Sequence, residues 1–373
     1  MKKIVYMDAA ASWLKPQSVI ESSADFMSNF YANAGRGVCE RSVNVDKMID
    51  AARITVADFI GCDKNNVVFT SGTTDAMNRI VNIIMGTIRF DKIPVVAVSD
   101  LDHHSARLPW EFLAKQNKCK ISVVPLDDNN NIDVNNIPNV DIFVLTAMSN
   151  VLGVPQDVER IINKAKSKNP NVITIVDAAQ YVVHNKIDVK KIDCDFLCFS
   201  GHKIGSDTGV GIMFIKNPDL YNADKFGGGM INKIIDDEKW ILNNSPEKFE
   251  AGTLPLTQII GLPYAIKYLS DWDGGHDLIQ YMYDELSKIP NIKILTQCDS
   301  CLLSFVVDNM HALDLGVMLG AYDICVRVGN MCASWIHKKL GLDGSIRISV
   351  GPWNTMDDAK YVIESIRKVV NNV

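Results

Sequence analysis

Seven short apolar runs mark the chain before residue 216: VVFT at Val67 to Thr70, VVAVS from Val95, ISVVPL from Ile121, IFVLTA from Ile142, VITIV from Val172, DFLCF from Asp195 and VGIMFI from Val210. Most are β-branched or aliphatic throughout, so they do not read as strands with one wet face; they require cover on both sides. Helical stretches lie between several of them, at 109–117 and 158–167, and Ile49, Ala52, Ile54, Val56 and Phe59 trace a helix that runs to a stop at Gly61. A strand-helix-strand rhythm of this kind predicts an α/β chain with a mostly parallel central sheet and helices on both faces. Beyond the glycine run 227–229 and the segment 246–255, residues 256–270 read as one long helix, and the remainder alternates helix and strand as a smaller α+β unit. The expected division is a large unit at 16–255 and a small one formed by 1–15 with 256–373.

Charge and cysteine usage remove several classes of function. The 373 residues carry a formal net charge of −6, which gives no basic field for nucleic acid, and Lys164, Lys166 and Lys168 read as a solvated helix face. The N-terminal MKKIVYMDAAASW places Asp8 where a signal peptide needs an unbroken apolar core, and no apolar stretch reaches ~18 residues. The expectation is a cytoplasmic chain without a membrane segment. Nine cysteines, an odd count, argue against a disulfide framework. Cys298 and Cys301 form a CxxC without a second pair, so no metal site is expected.

Chemistry gathers where the strands end. DFLCFSGHK ends a buried strand in Ser200-Gly201 and then offers Lys203, which is either a surface lysine or a reactive amine entering the ligand crevice of an open sheet. Gly72, Thr73 and Thr74 open a helix directly after a strand; they suit a phosphate cup and, equally, a simple threonine cap. VITIV leads to Asp177 and Gln180, VVAVS to Asp102, His103 and His104, and IFVLTA to Ser149 and Asn150. Taken singly, Asp177 reads as a turn aspartate, His103 as a satisfied polar histidine and Gln180 as a helix-start residue. Together, a phosphate cup, a carboxylate, a histidine and a lysine in one crevice suit pyridoxal phosphate, an aldehyde that a lysine amine can bind covalently.

The segments YMDAAASWLKP, FTSGTTDAMN, LDHHSARLPW, SNVLGV, VDAAQ, DFLCFSGHK, TGVGIMF, GGGMI, FEAGTLP, VRVGNMC and RISVGPWNT resemble, in the same order and over nearly the whole chain, the fold-type I pyridoxal-phosphate enzymes of the class V aminotransferase group. The nearest resemblance is to the group II cysteine desulfurases of sulfur mobilisation and iron-sulfur cluster assembly. That resemblance implies a homodimer converting L-cysteine to L-alanine and passing sulfur to an acceptor protein. It makes Lys203 the Schiff-base lysine, Asp177 the partner of the pyridine nitrogen, Gln180 the donor to the ring hydroxyl and His103 the stacked acid-base residue. Thr73, Thr74, Ser200 and His202 would hold the phosphate, with Thr253 supplied by the other subunit. Arg347 would clamp the substrate carboxylate, and Asn150 and Arg36 would line the substrate pocket. Cys332, fifteen positions before Arg347, would be the sulfur-accepting nucleophile.

Three departures from the family pattern stand out. Asn330 and Met331 replace a histidine pair before the cysteine, Ile204 to Asp207 replace an aromatic-Gly-Pro segment, and Gly35 replaces a histidine. Alternatives therefore stay open: a selenocysteine lyase, another carbon-sulfur lyase, an aminotransferase or epimerase with Cys332 as a buried bystander, or a non-catalytic partner that keeps the fold.

Overall fold

The computed structural model describes residues 4–35, 37–237, 239–297, 300 and 302–371. Its large sheet has seven strands: β1 (Val67–Thr70), β2 (Val95–Ser99), β3 (Lys120–Val124), β4 (Ile142–Thr146), β5 (Ile173–Asp177), β6 (Phe196–Ser200) and β7 (Gly211–Ile215), in the order β1-β7-β6-β5-β4-β2-β3. The pairs from β6 to β3 are parallel, while β7 runs antiparallel to both its neighbours. Apolar pattern alone could not reveal this reversal. The connection from Ser200 to Gly211 is too short for the helical crossover that a parallel pair requires.

Alternation along the strands divides the core into two layers. Phe196, Cys198, Val144 and Met213 face Met77, Ile80, Ile84 and Trp110 on α3 (Thr73–Thr87) and α4 (His104–Lys115). Leu197, Phe199, Phe143 and Ile212 face the other way, toward Val56 and Ile60 of α2 (Glu40–Ile60) and Ile161 of α5 (Val158–Lys168). Each such side chain contributes about 1.5–3 kcal/mol through removal from water. Gly61 ends α2 in the left-handed conformation (φ 78°), with its N–H on the Ala57 carbonyl. Helix α4 begins five residues before the expected Pro109, because His103 caps it. Pro109 then sits inside the helix at the cost of one backbone hydrogen bond.

Leu256–Ser270 forms α6, packed on α2 and on α1 (Gln17–Asp25). A hairpin of β8 (Ile231–Asp236) and β9 (Lys239–Leu242) precedes it. Four further strands, β10 (Ile292–Ile294), β11 (Leu303–Val307), β12 (Arg327–Gly329) and β13 (Ser345–Ile348), pair antiparallel in the order β10-β11-β13-β12. Their apolar face packs on α7 (His276–Leu286), α8 (Ala312–Ala321) and α10 (Met356–Asn371), leaving α9 (Ser334–Lys339) near the large sheet. The N-terminal strip ties into this region: Val5 and Tyr6 pair with Ile324 and Cys325, and Asp8 bridges to Ser349.

Candidate active site

Parallel strands bring their carboxyl ends to one edge, so Ser99, Thr146, Asp177 and Ser200 end beside one another. β1 runs in the same direction as β6, with β7 between them, and adds Thr70 and the start of α3 to that edge. A cavity of about 450 Å3 lies there. Its lining includes Thr73, Thr74, Ser200, His202 and Lys203, together with Asp177, Gln180 and His103, and Asn150, Cys332 and Arg347.

The anion cradle is built from backbone. Gly72 (φ 147°) is the cap of α3 and has no side chain to cap with, while the Thr73 N–H and hydroxyl both reach the Ser200 Oγ at 2.8 Å. A threonine cap therefore does not account for the motif; the Thr73 hydroxyl is committed to β6. Gly211, paired with both Thr70 and Ser200, must lack a side chain, since a Cβ there would come within 2.4 Å of the Gly72 Cα. The first turn of a 15-residue helix then points free N–H groups and the positive end of its dipole at the cavity.

Lys203 ends a short turn, Gly201–Lys203, that leaves β6 toward the cavity. Burial pushes its amine down to about 8; the Asp177 carboxylate opposes that shift and the Arg347 guanidinium adds to it. The neutral, nucleophilic amine is thus half populated at pH about 8, against about 10.4 for an ordinary lysine. Capture of an aldehyde by Lys203 is expected to accelerate with pH and level off above about 8. A rate that keeps rising to pH about 10 would remove the argument from burial. The linkage has a definite sign. Between the two values the unfolded chain binds more protons, so the stability cost of burying the amine is complete below about 8 and is relieved as pH rises.

Asp177, at the end of β5, accepts the Ala179 N–H at 3.0 Å. Burial raises its pKa, and Lys203 holds it down. His103 is the cap of α4: its Nδ1 accepts the Ser105 N–H at 3.1 Å, which puts the ring proton on Nε2. Burial first, then Lys203, His104 and Arg347, push it to about 3, so His103 is neutral at ordinary pH. His202 is likewise pushed to about 4, by burial and the Lys203 and Lys15 ammonium groups.

Gln180 donates through Nε2 to the Ala10 carbonyl at 2.7 Å, leaving one N–H of the amide and a buried, unpartnered Oε1. Arg347, 2% exposed, donates from Nη1 to the Asn150 carbonyl at 2.8 Å and from Nη2 to Asp8 Oδ1 at 3.1 Å; its Nε has no partner among the described residues. Asp8 also holds Arg327 at 2.5 Å. Asp8 was hidden in the sequence because its arginines lie more than 300 positions away. The motif YMDAAASW offered the one signal.

Cys332 is exposed and is the cysteine that lines this cavity. Cys119, Cys194 and Cys198 are buried, and burial raises all three thiols, Cys119 to about 11. Thr253 is not at the cavity within one chain. It lines a second one of about 620 Å3 with Gly228, Gly229 and Glu250. Arg36 lies outside the described residues, as do Cys298 and Cys301.

The class-V aminotransferase family model matches residues 5–362. The chain is 32% identical to a cysteine desulfurase of Wigglesworthia glossinidia brevipalpis, covering 98% of this chain and 92% of that one. It is 31% identical to cysteine desulfurase CsdA of Escherichia coli, covering 98% and 94%. Among solved structures, the apo cysteine desulfurase of Thermococcus onnurineus superposes with a TM-score of 0.93 at 29% identity, covering 99% and 95% of the two chains. The S-sulfonic acid form of Escherichia coli CsdA gives 0.91 at 30%, with the same coverage. Among the described residues no helix is long and apolar enough to cross a membrane.

Proposed function

The chain belongs to the class-V aminotransferase family, and from that premise we propose that it is a pyridoxal-phosphate-dependent cysteine desulfurase. The observation that carries this reading is that Cys332 shares one cavity with Lys203, Asp177 and Arg347. The residues fit the cofactor. A helix start with Ser200 on it suits the phosphate, Asp177 suits a ring nitrogen that carries a proton, and the unpartnered Gln180 Oε1 and Thr146 Oγ1 lie buried at the same cavity. When bound, the cofactor supplies an electron sink for the substrate carbon.

This chain's own groups do the remaining work. Lys203 Nζ anchors the cofactor and then carries protons. The neutral His103 ring stacks and exchanges a proton at Nε2, while Thr74, Ser200 and His202 hold the phosphate and Thr73 fixes the Ser200 hydroxyl for it. Arg347 meets the substrate carboxylate and Asn150 borders it. The Cys332 thiolate attacks the substrate sulfur: an S–S bond forms, the C–S bond breaks, its electron pair stays on carbon, and protonation there yields alanine with a persulfide on Cys332. Thr253 lines the second cavity and not this one in one chain, which suits a homodimer in which Thr253 of the partner subunit completes the phosphate site. Sulfur then leaves to an acceptor protein in the cytoplasm.

The test is direct. Purified protein given L-cysteine is expected to release alanine, to carry one extra sulfur on the Cys332 peptide, and to turn over repeatedly only with a thiol reductant. Alanine without extra sulfur on any cysteine would overturn the reading.

A further inference from the structure

Cys332 occupies a conformation that a free loop would not keep. Met331 (φ 51°) and Cys332 (φ 56°) are consecutive non-glycine residues in the left-handed region, where a side chain is strained unless its surroundings hold it. Three groups do so. Asn330 Oδ1 accepts the Cys332 N–H at 3.2 Å and the Asn330 carbonyl accepts the Ala333 N–H at 2.8 Å. Asn150 Nδ2 donates to the Met331 carbonyl at 2.8 Å. From α4, the His104 main-chain N–H donates to the Cys332 carbonyl at 2.8 Å, and its Nε2 lies 3.2 Å from the Ser334 N and 3.0 Å from the Ser334 Oγ.

A backbone N–H only donates, so the His104 Nε2 is an acceptor and the ring proton sits on Nδ1. The ring also stands edge-on to Trp335 at 5.4 Å, and Arg107, one turn along α4, lays its guanidinium over that indole at 4.2 Å. Two residues of α4 thus grip the segment that follows the thiol. Asn330, one of the departures from the family pattern, shapes the turn from within.

We propose that His104 is a positioning residue for Cys332: through its main-chain N–H and its Nε2 it clamps the strained 330–334 turn to α4 and so aims the thiol into the cavity. The chemistry assigned to Cys332 rests on the desulfurase reading, whereas the clamp rests on geometry alone.

The experiment compares His104→Ala with His104→Gln, whose Oε1 can stand where Nε2 accepts. Alkylation of the Cys332 peptide by iodoacetamide in the holoenzyme is followed by mass spectrometry, with the exposed Cys39 as internal reference, alongside kcat and KM for alanine release. His104→Ala is expected to speed Cys332 alkylation about fivefold relative to Cys39 and to lower kcat by a similar factor, the weight of one net hydrogen bond. KM should stay within about twofold, since His104 is not part of the carboxylate site, and His104→Gln should restore both rates. Asn330→Ala, acting from the other side of the turn, is expected to raise alkylation in the same way, which covers a His104→Ala protein that fails to fold. Unchanged alkylation in either alanine variant, or a kcat loss that His104→Gln leaves in place, overturns the clamp. If wild-type protein releases no alanine, the desulfurase reading fails while the alkylation comparison still decides the clamp.

Discussion

Lys203→Ala protein is expected to fold normally, lose the visible absorption of the bound cofactor and release alanine from cysteine at least on the order of 10⁴-fold more slowly. The fold survives because nothing in the core depends on the amine. Its burial is unfavourable, as the shift to about 8 records, so removal relieves a cost and the melting temperature should match or exceed that of the cofactor-free wild type. The site does not survive. Lys203 also holds the Asp177 carboxyl down against the effect of burial, and without it Asp177 takes up a proton more readily and serves a protonated ring nitrogen less well. One substitution therefore removes the covalent anchor and weakens the electrostatic one. Absorption that persists unchanged in the variant would show that the cofactor is held through some other amine.

Cys332→Ala separates this chemistry from the other reactions of the scaffold. Cys332 is exposed, so stability should move by no more than about 0.5 kcal/mol, and cofactor absorption, which depends on Lys203 and Asp177, should be intact. Alanine release is expected to fall at least on the order of 10³-fold, because the variant has lost the only thiol lining the cavity among the described residues. Cys39→Ala serves as the control and should behave as wild type. Turnover that survives in Cys332→Ala would sink the desulfurase reading in favour of a reaction in which the cysteine is a bystander. Wild-type protein that never acquires the absorption would instead point to a non-catalytic member of the family.

Strands and helix stops were legible because they follow from local chemistry. Runs such as IFVLT are buried along their whole length, Gly61 turns left-handed where the apolar spacing ends, and Leu256–Ser270 begins and ends where its sequence suggests. The start of α4 was not legible, because His103 supplies the cap through a ring nitrogen, a role that serine or aspartate signals more plainly. Residues that act across the chain were harder still. Asp8 meets Arg347 across 339 positions, His104 meets Ser334 across 230, and neither pair leaves a periodic trace. Thr253 shows the opposite case: the sequence motif is clear, but one chain alone keeps it away from the cavity.

The N-terminal strip has a consequence for the order in which this protein can be completed. Val5 and Tyr6 lie beside Ile324 and Cys325, Asp8 bridges to Ser349, and the Ala10 carbonyl that receives Gln180 belongs to the same strip. During synthesis this strip must wait for partners made more than 300 positions later. The large sheet can form earlier, with Lys203 at its edge, but the wall that carries Arg347, Asp8 and Cys332 closes only once the segment through Ser349 has been made. A chain that has emerged past Lys203 but not yet to Cys332 and Arg347 thus holds the lysine without the pocket that directs it.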